Sequence, residues 1–194
     1  MEKSLIENAY DEEILGKVFN ESNNSILKNT TFKKCVFNKV DFSNIEMIKT
    51  DFIDCTFNNC DLSNKSFEEG YFSKTKFLNC KMTGVSFIDG YLENIDFKEC
   101  LLNYTNFSSS KLKNILFDGS DLSESTFINA KLNQTALSSS KLNASEFTNT
   151  PLKNIDLSSC NIDKVTFDLI SIKGVTIDSM QAYNLMYMLG VNIK

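Results

Sequence analysis

The sequence has no histidine, no tryptophan and a single proline, and all 20 of its basic residues are lysine. Without histidine there is no Ser-His-Asp-type triad and no ordinary catalytic zinc site, because imidazole is the usual base near neutral pH and the usual zinc ligand. Without arginine, and with a formal net charge of −5, the chain lacks the basic surface of a general nucleic-acid binder. No stretch approaches the ~18 apolar residues of a membrane span, and Met1 to Tyr10 carries acids and no apolar run of secretory length. The chain therefore reads as cytoplasmic, and its six cysteines as reduced thiols rather than a disulfide framework. At 194 residues, 42% of them hydrophobic, it reads as one globular domain with a sizeable core.

What is abundant is phenylalanine, and it is periodic. Apolar residues occupy every fifth position from Leu27 to Ile177: Leu27, Phe32, Phe37, Phe42, Met47, Phe52, Phe57 and so on, 31 positions without a gap. A step of five advances a helical side chain by about 140°, so no helical stripe forms. On a flat strand, an odd step alternates faces. Each unit must therefore contain its own change of direction. Two residues before each centre stands a second inward position, mostly small or β-branched, such as Thr30, Cys35, Val40, Cys60, Gly70, Val85, Ala130 and Ile155. Two inward residues two apart make a very short strand, and the remaining Asn, Asp, Ser and Lys supply the turn.

Segments such as Cys60-Asp61-Leu62-Ser63-Asn64 and Ser120-Asp121-Leu122-Ser123-Glu124 resemble the consensus of the pentapeptide-repeat family. The resemblance implies an all-β solenoid, a right-handed quadrilateral β-helix with four pentads, or 20 residues, per coil. Seven to eight coils would then stack into a rod about 35 Å long. Sorting the centres in steps of 20 supports that coil: one face reads Phe67, Phe87, Phe107, Phe127, Phe147, Phe167, the face two pentads on reads Phe37, Phe57, Phe77, Phe97, Phe117, and those between become Leu-rich.

The ends depart from the pentad. Residues 1–24 are expected to form a cap, a short helix or irregular, with Gly16 breaking a partial helical spacing around Leu5, Ala9 and Val18. Residues 25–178 form the repeat region. In residues 179–194, Asp178 and Gln181 predict a capping box, Met180 to Leu189 a helix, and Gly190 its stop. This helix is apolar most of the way round, so one side can close the rod and the other needs a partner. The stretch from Gly174 to Val191, with Ile-Asp before the helix, Gln-Ala in its first turn and Leu-Gly-Val at its exit, resembles the C-terminal cap of the Qnr-type topoisomerase-protecting branch. That branch implies a two-fold dimer through the helix, here through Met180, Tyr183, Leu185, Met186, Tyr187 and Leu189. It further implies an acidic, DNA-mimicking rod that binds a type II topoisomerase (DNA gyrase) and modulates quinolone action. Many members carry loops that interrupt the pentads and touch the topoisomerase; this sequence has none, so no loop contact carries over.

Among candidate site residues, Asp41, Glu46, Asp51, Asp54, Asp61, Glu68 and Glu69 form an acidic run against Lys49 and Lys65, a candidate partner-binding belt. The whole interval 27–178 holds 17 Lys and 19 acids, weak for a DNA mimic and equally consistent with an ordinary mixed surface. The six cysteines, Cys35, Cys55, Cys60, Cys80, Cys100 and Cys160, all sit in the small inward register, as a thiol ladder or as small buried hydrophobes; without histidine co-ligands the second reading is preferred. Tyr71 and Tyr91, one coil apart with Lys111 and Lys131 above them, read as a stacking platform or a stabilising ladder. Lys65, the one charge in the small inward register, reads as a local bulge or a side chain snorkelling out toward Glu68 or Glu69 rather than as a catalytic amine. No nucleophile–base pair, phosphate loop or metal spacing appears, so neither catalysis nor a cofactor is expected. The alternative to topoisomerase binding is a structural or adaptor β-helix with an unknown partner.

Overall fold

The pentad needs a corner, and one residue per unit makes it. In the computed structural model, which describes residues 4–188, every fifth residue from Asn29 to Asn154 has φ between 49° and 69°, Asn44 excepted. Asn, Asp, Lys, Glu and Ser dominate this position, with Gly84 and Gly119 among them. Such a residue, followed by the small inward one, turns the chain onto the next side of a square; a bulky β-branched side chain would resist the left-handed conformation.

The product is a parallel β-solenoid. Phe32 lies beside Phe52, Phe57 beside Phe77, Leu92 beside Leu112 and Leu112 beside Leu132, each pair 20 residues apart. The centres define four sides. Face 1 holds Leu27, Met47 and the phenylalanines from Phe67 to Phe167, and face 2 runs from Phe32 to Ile172. Face 3 runs from Phe37 to Ile177, and face 4 from Phe42 to Ile162. Faces 2 and 3 carry three-residue strands such as Thr31–Lys33 and Val36–Asn38, which fuse into Tyr91–Lys98 and Lys111–Asp118. Face 4 and most of face 1 are joined by single bridged residues, such as Asp61 with Lys81 and Ser86 with Asn106.

From Leu27 to Ile162 every centre is buried except the half-buried Met47 and Leu132. Stacking at the coil spacing lays the rings of one face parallel: Phe87, Phe107 and Phe127 are 5.2 and 4.8 Å apart at 10° and 13°. Across the lumen, Phe107 meets Phe117 edge-on at 5.8 Å and 77°. Offset stacks along each face and edge contacts between faces are the two favourable ring geometries. The small inward register is a column of donors. The Thr75 hydroxyl donates to Phe52 O and Ser73 O at 3.2 and 3.1 Å, and the Ser120 hydroxyl to Phe97 O at 3.1 Å. The Cys100 thiol donates to Phe77 O and Lys98 O at 3.3 and 3.4 Å. Cys, Ser and Thr alternate here because each is small enough for the corner and can satisfy its buried carbonyls.

The N-terminal segment corrects the sequence reading. In place of a short helix or irregular cap, the described residues continue the solenoid as strands Ser4–Leu5, Ala9–Tyr10, Glu13–Leu15 and Val18–Glu21. Ala9 lies beside Leu27, Ile14 beside Phe32 and Phe19 beside Phe37, a coil of 18 residues rather than 20. Asp11 and Gly16, at φ 52° and 66°, are its corners. Gly16 is thus the same left-handed turn as the others and breaks no helix.

At the other end, residues 168–173 make a tight turn that interrupts the pentad. The Asp168 carboxylate accepts the N–H groups of Asn149, Ile170 and Ser171 and the Ser171 hydroxyl at 2.6–2.8 Å. These bonds, led by the Ser171 hydroxyl, hold the carboxyl far below the usual range. Ser171 rather than Ile170 fills the buried small position, which leaves Leu169 and Ile170 78% and 74% exposed.

Helix α1 (Ser179–Met188) closes the last coil. Asp178 Oδ1 accepts the Gln181 N–H at 2.8 Å and Gln181 Oε1 accepts the Asp178 N–H at 2.9 Å, the reciprocal capping box. The same Gln181 side chain donates to Leu157 O and Cys160 O at 2.9 and 2.7 Å, so one residue both starts the helix and fastens it to the rod. Among the described residues no helix is long and apolar enough to cross a membrane.

Candidate partner-binding surfaces

The 20-residue coil distributes the acidic run instead of gathering it. Asp41 and Asp61 point out from face 4, Glu46 and Glu68 from face 1 and Asp51 from face 2, while Glu69 and Asp54 sit on corners. The seven acids thus wrap around three sides. Three come together: Asp51, Glu68 and Glu69 line a groove of about 470 Å³ with Lys49. Others are engaged locally. Asp41 accepts the Ser43 N–H at 2.8 Å, and Asp51 the Tyr71 N–H at 3.1 Å. Asp61 pairs with Lys81 at 3.0 Å. Partial burial opposes the Asp61 charge, but Ser63 and the Lys81 ammonium outweigh it and hold the carboxyl below its ordinary value.

A second set of acids gathers on face 1 from residues far apart in sequence, in two groups separated by the uncharged coils of Phe107 and Phe127. Glu46, Glu68 and Glu146 project from this face, with Glu69 and Asp89 on its corner toward face 2, while the Asp168 carboxylate at its C-terminal end is tied into the turn. Its outward lysines among the described residues, Lys28 and Lys49, are confined to the N-terminal end, and Lys65, in its small inward register, is turned back onto the preceding coil. Reading the sequence in consecutive blocks misses this; reading outward positions in steps of 20 finds it.

Lys65 turns the opposite way from the expectation. Its ammonium donates to Ser43 O and Ile45 O, both at 2.9 Å, in the preceding coil, where Asn44 departs from the left-handed corner geometry. Burial lowers its pKa, against the pull of nearby Asp41. It is a structural clasp on an irregular corner.

Tyr71 and Tyr91 stack 5.7 Å apart at 14°. Lys111 and Lys131 continue their column. All six cysteines are buried and free. In the Cys60–Cys80–Cys100 column, hydrogen bonding to Cys80 and burial push the Cys60 and Cys100 thiols up. Burial likewise raises Cys160. Buried, inaccessible thiols are poor nucleophiles and poor ligands. Among the described residues no cluster of His, Cys, Asp and Glu fits a metal ion.

On α1, Gln181 is buried, and Ala182 and Leu185 are half-buried toward the coil end, whereas Met180, Tyr183 and Met186 are 68%, 52% and 44% exposed. Leu185 thus packs on the core and Met186 faces outward. The Tyr187 side chain and Leu189 lie outside the described residues.

Two family models match the chain: a pentapeptide repeat region at residues 50–127 and 117–177, and pentapeptide repeats at residues 25–64. No curated protein matches it. Among solved structures it is similar to a trypsin-treated variant of QnrB1, a plasmid-mediated fluoroquinolone resistance protein. That match has 21% identity and a TM-score of 0.49, covering 98% of this chain and 99% of that one. It is also similar to HetL, a pentapeptide repeat protein involved in heterocyst differentiation regulation from the cyanobacterium Nostoc. There the identity is 12% and the TM-score 0.42, covering 90% and 91% of the two chains. A third, from the Arabidopsis thaliana thylakoid lumen, has 17% identity and a TM-score of 0.32 over 74% and 70%. The matched family models span most of the chain and coincide with the left-handed corners and 20-residue register, and the chain belongs to the pentapeptide-repeat family.

Proposed function

We propose that this protein is a non-catalytic binding rod that pairs two copies through α1 and presents acidic surface to a basic, DNA-binding partner, a type II topoisomerase such as DNA gyrase. The observation that carries the reading is face 1, whose outward positions hold Glu46, Glu68, Glu69, Asp89 and, past two uncharged coils, Glu146, with no outward lysine beyond Lys49 among the described residues. A straight, one-signed face is the kind of surface that steers a rod onto a positively charged saddle. Pairing is supported by Met180, Tyr183 and Met186, whose exposure beside Leu169 and Ile170 leaves apolar surface at the C-terminal end. With those ends joined, the groove acids Asp51, Glu68 and Glu69 lie toward both outer ends of the dimer.

The test is a gyrase supercoiling assay with purified protein, with and without a quinolone, beside light scattering of the protein alone. Inhibition or quinolone relief at micromolar protein, weakening as salt rises, is expected, together with a dimer. Replacing Asp51, Glu68 and Glu69 by Lys should weaken the effect without unfolding the rod. No effect on gyrase would leave the adaptor reading, favoured by the Asp61–Lys81 and Asp121–Lys141 pairs that neutralise part of face 4.

A further inference from the structure

Between residues 105 and 178 the sequence holds seven lysines and eight acids, a near balance that predicts no charged surface. The coil sorts them. Four of the seven, Lys111, Lys113, Lys131 and Lys153, project from face 2, Lys173 ends the turn beside Gly174, which sits against Lys153, and none of the eight acids projects from that face. All five are exposed. Lys113 pairs with Glu93, one coil below, at 2.6 Å. Lys111, Lys131, Lys153 and Lys173 make no ion pair among the described residues. Lys111 and Lys131 are direct register partners on adjacent coils. Like charges placed opposite one another across strands work against folding, so this segregation gains the rod nothing in stability.

We infer that the C-terminal half of face 2 is a docking surface for the phosphodiester backbone of a nucleic-acid duplex. Three features select that partner. From Ser109 to Asn154, face 2 exposes no large apolar side chain, and Leu169 and Ile170 are exposed only in the turn before Lys173, so the stretch lacks the desolvated anchor that a protein interface requires. The outward residues among the lysines are amides such as Asn114, Asn133, Gln134 and Asn154, which with lysine are ordinary phosphate donors. Lysine is a point charge suited to phosphate, and the pattern requires no base reading. In length, Lys113 to Lys173 spans three coils, about 14 Å at ~4.8 Å per coil, close to the axial rise of four phosphates at ~3.4 Å each on one strand. The net charge of −5 does not cancel this local field, because at ~0.1 M salt charges farther than about 10 Å are screened.

The test is fluorescence anisotropy of a labelled 30-bp duplex with the full-length protein at several salt concentrations. Four unpaired lysines predict a log–log salt slope of about −3.6, an affinity loss of about 150-fold between 50 and 200 mM salt. Combining Lys111→Gln, Lys131→Gln, Lys153→Gln and Lys173→Gln should abolish binding at 50 mM salt with a thermal melt no lower than the parent's. The Lys141→Gln, Lys164→Gln pair on face 4 should bind as the parent does. Absence of binding at 50 mM, equal binding by the quadruple variant, or competition by polyglutamate equal to that of duplex at matched charge would overturn the assignment. No topoisomerase is present, so the outcome is independent of the topoisomerase reading.

Discussion

Phe107 sits within one of two six-ring stacks, fully buried, and its replacement tests the solenoid register most directly. It stacks between Phe87 and Phe127 at 5.2 and 4.8 Å and meets Phe97 and Phe117 edge-on at 6.4 and 5.8 Å. Removing a buried phenylalanine ring costs about 3–5 kcal/mol through lost transfer energy and the cavity left behind. Each aromatic pair adds roughly 0.5–1.5 kcal/mol beyond area. The coils above and below are locked by their own ladders and cannot collapse inward. Phe107→Ala is therefore expected at the upper end, about 4–5 kcal/mol. Phe107→Leu, which installs the side chain that faces 2 and 4 already use at Leu112 and Leu102, should cost about 1–2 kcal/mol. Ser108→Ala, one residue on and directed outward, should stay within about 0.5 kcal/mol. Urea denaturation followed by circular dichroism measures all three, provided the m-value is unchanged between variants. A loss below 1 kcal/mol for Phe107→Ala, or a Ser108→Ala loss as large, would refute the register.

Asn79 forms a left-handed corner at φ 53° with an exposed side chain. Asn79→Val should destabilise by about 1–2 kcal/mol and Asn79→Gly hardly at all, a difference that melting curves will resolve. Gln181→Ala removes half of the capping box and takes the amide donor from the Leu157 and Cys160 carbonyls, of which Leu157 O keeps the Cys160 N–H. Hydrogen exchange should show α1 amides losing protection by about 2–3 kcal/mol while the Phe ladders keep theirs; equal protection in the variant would remove Gln181 as the fastening residue. Ellman titration of native protein should find the buried cysteines slow, with fast reaction only after denaturation; rapid labelling of all six in the native state would contradict the inward register.

The repeat region was legible because each pentad is nearly a complete unit. It carries its own core pair, such as Cys60 and Leu62, and its own corner, such as Asn64, so a period in the sequence becomes a period in space. The capping box at Asp178 and Gln181 was legible for the same reason, since both partners lie within one helical turn. The N-terminal coil was not. Ala9, Ile14 and Phe19 keep the five-residue step, but an eight-residue step to Leu27 hides them, and only their pairing with Leu27, Phe32 and Phe37 puts them in the wall. Lys65 had acids close by in sequence, yet the carbonyls it meets belong to the preceding coil. Charge shows the division most clearly. Residue types and spacing determined that Lys111, Lys131, Lys153 and Lys173 point outward, whereas gathering them on one acid-free side required the chain to close a square every 20 residues. Position along the chain sets which neighbours a side chain has in its own pentad; the coil sets which charges share a face, and a partner meets the face.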